Sequence, residues 1–176
     1  VQVGEKPFDG RTGLVDVDLR GDETTPLERV RDIVVLVSDD PATSLPVSDL
    51  CVGESRDAEL SPAGKARAER LADMLAGTGL DAIYVSEARR TQQTAAPVAG
   101  RTGVEAEVMP AARHGRLVRR LKWRHRGDVV LVVGHSNTVP LIADGLGAPI
   151  GVIEADEYSG LWVITYSRLR GTRLLA

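Results

Sequence analysis

Two polar segments of the chain carry residue types that could hold an anion. Gly134, His135 and Ser136 directly follow a run of apolar residues, and Arg90 follows another such run. A histidine between a buried strand and a helix lies where free backbone N–H groups and the helix dipole favour an anion. The guanidinium of an arginine can hold a phosphate through two parallel hydrogen bonds. The simpler interpretation is a loop histidine that caps a helix, with Arg89 and Arg90 solvated.

The apolar runs that precede these segments are predicted to be strands. Residues 33–37, 82–85 and 129–133 are rich in Val and Ile, as expected of strands buried on both faces. Further strands are predicted over 104–108 and 161–165, with a hairpin after Gly171. Helices are predicted from Pro62 to before Gly77, from after Val85 to about Ala99, from Arg116 to His125 and from Thr138 to Leu146.

This alternation of strands and helices predicts an α/β fold of three layers. We expect a mostly parallel central sheet with helices on both of its faces. Ligands of such sheets bind beyond the carboxyl ends of the strands. The chemistry is therefore expected in the segments after Val37, Val85 and Val133.

The remaining sequence features limit the domain organisation and the class of protein. Residues 1–31 are weakly patterned, so we expect an N-terminal arm or edge extension that adds little to the core of an α/β domain over 32–176. The single cysteine, Cys51, excludes an intramolecular disulfide and a Cys-based zinc site. No apolar run reaches the ~20 residues that span a bilayer. The compartment is left open, because the chain begins at Val1 rather than Met.

Composition argues against nucleic acid as the partner. Aromatic residues make up only 3% of the chain, which leaves few rings on which bases could stack. The net charge of −3 gives the chain as a whole no field that attracts a polyanion. A phosphate-containing small molecule or a phosphoprotein is compatible with a local anion site, and no cofactor is implied.

Several motifs together resemble those of the histidine phosphatase (phosphoglycerate-mutase-like) superfamily, especially its small bacterial phosphohistidine-phosphatase-like branch. The matching segments, in order, are Ser61-Pro62-Ala63-Gly64, Asp81-Ala82-Ile83-Tyr84, Arg90-Thr91-Gln92-Gln93-Thr94-Ala95, Val133-Gly134-His135-Ser136-Asn137 and Asp156-Glu157-Tyr158. The resemblance implies that Arg90 and His135 neutralise the oxygens of a phosphoryl group, with Ser136 and Asn137 also in the phosphate site.

The first motif of that family is replaced in this sequence. The family places an arginine and a nucleophilic histidine directly after the first strand, where this chain has Ser38, Asp39 and Asp40. Serine removes a permanent cation, and aspartate puts a negative charge where the oxygens of the phosphate would approach. The resemblance and this replacement predict a domain with a partial phosphate pocket and impaired catalysis.

One alternative is an active phosphomonoester hydrolase with an unconventional nucleophile or a metal. Aspartyl-phosphate chemistry exists, and Asp39 with Asp40 could hold Mg²⁺. The simpler interpretation of this pair is a solvated acidic turn, so no metal site is assigned.

The family also uses an acid that protonates the leaving group. Arg113-His114-Gly115 spells the family's first motif, but it follows the third strand rather than the first. His114 is either a rim residue that reaches a ligand or a loop histidine without a role. Glu157 and Asp156 are further candidates for the acid, and His125 is expected to be a surface residue.

A basic run over residues 113–126 supplies the third alternative, an interaction module. Its cations are Arg113, Arg116, Arg119, Arg120, Lys122, Arg124 and Arg126. On a helix they would surround every side except the one that carries Leu117 and Leu121. Such a run is either a solvated face or a docking surface for an acidic protein partner or for nucleic acid.

Overall fold

The computed structural model describes most of the α/β region in four stretches. The described residues are 33–38, 59–153, 160–167 and 171–175. The predicted arm over 1–31, the pair Asp39 and Asp40, and the candidate acids Asp156 and Glu157 lie outside the described residues.

Within the described residues, a six-stranded mixed sheet forms the centre of the fold. Its strands are β1 (Ile33–Ser38), β2 (Ala82–Val85), β3 (Ala106–Val108), β4 (Val129–Gly134), β5 (Leu161–Ser167) and β6 (Gly171–Leu175). They lie in the order β3-β2-β4-β1-β5-β6. The pairs β3–β2, β2–β4 and β4–β1 are parallel, whereas β1–β5 and the β5–β6 hairpin are antiparallel. The predicted mostly parallel sheet and the hairpin at Gly171 are confirmed.

Four helices of the described ranges cover both faces of this sheet. They are α1 (Pro62–Leu75), α2 (Arg89–Thr102), α3 (His114–Arg124) and α4 (Val139–Leu146). α1 and α2 pack on one face, and α3 and α4 pack on the other. The three-layer α/β architecture is therefore confirmed. None of these helices has the length and apolar composition required of a transmembrane helix.

The sequence of β4 explains why helices are needed on both faces. Val130 and Val132 belong to the apolar core on the α3–α4 side, and Leu131 and Val133 belong to the core on the α1–α2 side. Successive side chains of a strand point to opposite faces, so an unbroken apolar run must be buried twice. All four side chains are buried.

Two element boundaries differ from the sequence predictions. β3 begins at Ala106 rather than Val104. The N–H of Val104 donates to Thr102 Oγ1, so this residue is bonded to the last residue of α2 instead of to the neighbouring strand. α3 begins at His114 rather than Arg116, after a 3₁₀ turn over Ala111–Arg113. His114 is consequently the first residue of a helix and not a loop histidine.

Gly145 allows α4 to approach α3 closely. A Cβ atom built at Gly145 would lie 2.9 Å from Val118 Cγ2 and 3.0 Å from Val118 Cγ1. Val118 is buried on α3, and its β-branched side chain is restricted at χ1. The crowded atoms therefore have no flexible end that could move away.

We expect Gly145→Ala to lower the free energy of unfolding by about 1–3 kcal/mol, because overpacking outweighs the better helix propensity of Ala. Gly100→Ala is the matched control on α2, since no atom lies within 4 Å of its built Cβ. That change should leave stability equal or raise it by up to ~1 kcal/mol. Urea unfolding measures both, and equal effects would contradict the close approach of the two helices.

Candidate functional site

The parallel strands bring three polar residues to one edge of the sheet. β4 lies between β1 and β2, with Ser38 in register with Gly134 and Val85 in register with Val133. Ser38, Ser86 and His135 therefore stand at neighbouring strand ends, where ligands of such sheets bind. The structure thus brings together at one edge the three segments in which the sequence predicts the chemistry.

Local sequence fixes His135 at the junction of β4 and α4. A Cβ atom at Gly134 would lie 2.9 Å from Val139 Cγ2, so only glycine lets α4 start this close to the strand. Thr138 closes the turn, because its Oγ1 accepts from the N–H of His135 at 3.0 Å. The N–H groups of Thr138 and Val139 donate back to the carbonyl oxygen of His135, each at 2.9 Å.

The start of α2 is strongly electropositive. Arg89 and Arg90 occupy its first turn, which contains no acidic residue, and Ala88 at the N-cap offers no side-chain acceptor. Two cations beside the positive end of a helix dipole are unfavourable until an anion is present. The two arginines diverge: Arg89 pairs with Glu59 at 2.5 Å, whereas Arg90 reaches His135.

A chain of hydrogen bonds joins these two segments. Arg90 Nη2 lies 3.1 Å from His135 Nδ1, and His135 Nε2 lies 2.8 Å from Ser86 Oγ. Ser86 Oγ lies 2.9 Å from Thr91 Oγ1, which lies 2.8 Å from the carbonyl oxygen of Ala88. Arg90 and His135 therefore converge, as the sequence predicts.

The direction of donation along this series of hydrogen bonds follows from Arg90. A guanidinium can only donate, so Nδ1 of His135 must accept, and the imidazole is neutral with its proton on Nε2. That proton is donated to Ser86 Oγ, the Ser86 hydroxyl donates to Thr91, and Thr91 donates to the carbonyl of Ala88. Ser86 and Thr91 were not predicted as site residues; the signal was the position of Ser86 directly after β2.

This direction excludes a serine nucleophile at Ser86. A histidine that acts as a general base must accept the serine proton on one nitrogen, with its other nitrogen held by an acidic group. Here Nε2 of His135 donates to Ser86, and a cation occupies Nδ1. The arrangement is suited to holding an anion.

Ser38 occupies the position at which the resemblance to the histidine phosphatase superfamily predicts an arginine. It is the last residue of β1, 3% exposed, and its Oγ has no hydrogen-bond partner within the ranges that the structure describes. A buried hydroxyl without a partner costs about 1–3 kcal/mol. A phosphoryl oxygen or a water molecule at this edge would remove that cost.

His114 lies at the rim of the same edge. A small cavity of ≈ 20 Å³ is lined by His114, Ser86 and Thr138, together with apolar side chains such as Met109 and Ile142. The cavity places His114 beside the turn that carries His135. Its Nδ1 lies 3.4 Å from the carbonyl oxygen of Ala111, at the preceding 3₁₀ turn.

The neighbouring loop holds a carboxylate with a lowered pKa, that of Glu87. Hydrogen bonds from the backbone N–H groups of Glu87 itself and of Ala111 lower the pKa of this carboxyl. The Ala111 bond measures 2.8 Å and ties the loop after β2 to the start of the 3₁₀ turn. Glu87 is thus a structural acceptor with a poor capacity to donate a proton at neutral pH.

The structure places the other predicted residues less centrally. Ser136 is half-buried and Asn137 exposed in the turn between β4 and α4. No cluster of three metal-ligating residues occurs in the described stretches, which omit Asp39 and Asp40.

The prediction that His125 is a surface residue was wrong. Only 15% of its side chain is exposed, because the imidazole ring lies between the side chains of Asp128 and Tyr84. Its Nδ1 lies 2.9 Å from Asp128 Oδ2, and its Nε2 lies 2.7 Å from the hydroxyl of Tyr84. Burial raises the pKa of that tyrosine.

These contacts predict opposite tautomers for the two histidines. His135 should carry its proton on Nε2, whereas His125 should carry one on Nδ1, which Asp128 accepts. Long-range ¹H–¹⁵N correlation spectra of labelled protein at pH 8 distinguish the two forms. An Nδ1-protonated His135 would show that the contact with Arg90 is not made in solution.

Comparisons with known proteins agree with this geometry. Residues 42–114 match the family model described as "Histidine phosphatase superfamily (branch 1)". No curated protein sequence matches the chain. The matched range begins after Ser38 and ends before His135, so it covers the Arg90 motif but neither neighbouring strand end.

Three solved structures illustrate the similarity of fold. SixA from Agrobacterium tumefaciens is 22% identical, with a TM-score of 0.57 over 83% of this chain and 98% of that one. A mycobacterial glucosyl-3-phosphoglycerate phosphatase is 18% identical, with a TM-score of 0.62 over 81% and 96%. The protein histidine phosphatase SixA in complex with tungstate is 18% identical, with a TM-score of 0.60 over 82% and 94%. These structures share the fold of this chain, and the family-model match over residues 42–114 indicates a likeness to the histidine phosphatase superfamily.

Proposed function

We propose that this domain binds a phosphoryl-bearing ligand between Arg90 and His135 and lacks the histidine-nucleophile route of its family. The observation that carries the proposal is the 3.1 Å contact of Arg90 Nη2 with His135 Nδ1, at the edge where β1 ends. Two groups that can donate to phosphate oxygens thereby meet beside a positive helix end.

Ser38 supports both halves of this proposal. Its buried Oγ has no partner within the described ranges, and a hydroxyl at this strand end is a neutral donor for a phosphoryl oxygen. It supplies no positive charge, however, and the next residue in the chain is Asp39 rather than histidine. A carboxylate so close to the site opposes an anion, so we expect weak binding.

The known phosphatases of the same fold suggest the class of ligand. SixA is described as a protein histidine phosphatase, and its tungstate complex holds an oxyanion of phosphate-like shape. A phosphomonoester or a phosphorylated protein is therefore the ligand class that we propose. The branch of small phosphohistidine-phosphatase-like proteins is the nearest functional analogy.

We expect sulfate to bind to the wild-type chain in calorimetric titrations, because its oxygens can accept hydrogen bonds from Arg90. Arg90→Ala should weaken binding by about 1.5–3 kcal/mol, the value of a charge-assisted hydrogen bond. His135→Asn should weaken binding as well, because it removes the ring that lies beside Arg90.

Arg89→Ala is the control for charge on the same helix, since Arg89 pairs with Glu59 away from His135. It should reduce affinity far less than Arg90→Ala. Equal losses of sulfate affinity from the two variants would indicate attraction by the general positive charge of the helix start rather than a specific anion site.

The wild-type chain should show little or no metal-free hydrolysis of p-nitrophenyl phosphate. The covalent histidine route is missing, and losing one preorganised donor commonly costs on the order of 3 kcal/mol in the transition state. The double change Ser38→Arg with Asp39→His should create activity, and neither single change should suffice because such groups act as a unit.

Circular dichroism must first show that the double variant is folded, since Ser38 is buried. A folded but inactive double variant would mean that more than the first motif is lost. Robust turnover by the wild type that Asp39→Asn abolishes would favour the alternative hydrolase with Asp39 as its nucleophile. Turnover that requires added Mg²⁺ would favour a metal-assisted route.

A further inference from the structure

The outward face of α3 carries a basic and aromatic stripe, which consists of Arg116, Arg119 and Trp123 and which Arg126 continues just beyond the end of the helix. The first three follow the i, i+3, i+7 spacing that places side chains on one face of a helix. The opposite face is buried in the core through Leu117, Val118 and Leu121. The stripe therefore points away from the sheet.

The positive charge of this region is concentrated and largely unneutralised. Seven of the 22 Lys and Arg residues lie between Arg113 and Arg126, and none of the 25 Asp and Glu residues does. Arg120 lies beside the stripe and pairs with Glu107. Within the described ranges, Arg116 and Arg119 form no ion pair.

Trp123 gives the stripe an apolar centre. It is 63% exposed, whereas Trp162 is 8% exposed. The guanidinium carbon of Arg126 lies 5.3 Å from the centre of the Trp123 ring, within the range of a cation–π contact. Tryptophan and arginine are the residue types that contribute most to binding energy at protein interfaces.

We propose that this stripe docks an acidic peptide segment of a partner protein. The carboxylates of the segment pair with the forked donors of Arg116 and Arg119, and an apolar side chain of the segment packs on Trp123. Charge complementarity identifies the partner's chemistry, and the exposed ring gives the contact an apolar centre that a purely ionic surface lacks.

The charge distribution favours a short acidic segment over nucleic acid. Without the seven cations of this region, the chain keeps 15 Lys and Arg against 25 Asp and Glu. A short segment responds to charges within a Debye length of about 8 Å. A long polyanion would extend into the negative remainder of the surface, and a single ring offers little stacking.

This inference does not rest on the proposed phosphate site. The stripe lies along the solvent side of α3, whereas Arg90 and His135 lie at the edge of the sheet. Of the residues of α3, His114 and Leu117 line the cavity at that edge, and neither belongs to the stripe. The two sites can therefore be tested independently on the same folded protein.

The test uses a fluorescein-labelled synthetic peptide in which glutamates are interspersed with leucines. We expect anisotropy to report binding that weakens as salt is added, and the emission of Trp123 to change while that of buried Trp162 does not. The double variant Arg116→Gln with Arg119→Gln should bind about tenfold more weakly, and Trp123→Ala should bind more weakly as well.

The matched control is Lys65→Gln with Arg70→Gln, which removes the same charge from the exposed face of α1. It should leave the affinity for the peptide nearly unchanged. Equal losses from the two double variants would overturn the proposal, as would tighter binding of a single-stranded oligothymidylate than of the peptide. Displacement of the peptide by phosphate at constant ionic strength would also overturn it, since the peptide would then occupy the Arg90–His135 site.

Discussion

The parallel pairing of β4 with β1 on one side and β2 on the other is the constraint on which the site depends. These pairings align Ser38 with Gly134 and Val133 with Val85. Residues that are distant in sequence thus meet at one edge because three strands end together. The apolar residues of β4 make this alignment stable, since a register slip would expose side chains that both faces bury.

The chemistry at this edge is set by the one-way hydrogen bonding of Arg90. Because a guanidinium only donates, its contact with Nδ1 fixes the tautomer of His135. Through the series of hydrogen bonds, the same contact also determines which groups the hydroxyls of Ser86 and Thr91 donate to.

Much of the fold could be predicted from the sequence, because the strands and helices have strong local patterns. The Val-rich run of β4 and the Ser61-Pro62 helix start gave elements of the right type, and Ser61 Oγ indeed accepts from the N–H of Gly64. The antiparallel pairing of β1 with β5 was not predicted, since strand order depends on contacts between distant residues.

The site was partly predictable for the same reason. Arg90 and His135 could be placed at strand ends, but the role of Ser86 depends on a distance between two loops that no local pattern encodes. His125 was missed because its partners Tyr84 and Asp128 lie on different elements. A polar residue at the end of a basic helix looks solvated until the adjacent strand is known.

The position of Ser38 separates the anchoring of β1 from the polar edge of the sheet. The backbone of β1 makes the pairings with β4 and β5, and its core side chains, such as Leu36, lie before the strand end. The apolar residues that anchor the strand are therefore different from the residue at its end. Arg90 and His135 are held by contacts of their own, since His135 lies in the turn that Thr138 closes and Arg90 lies in the first turn of α2. The packing of the sheet and the polar groups at its edge are thus specified by different residues.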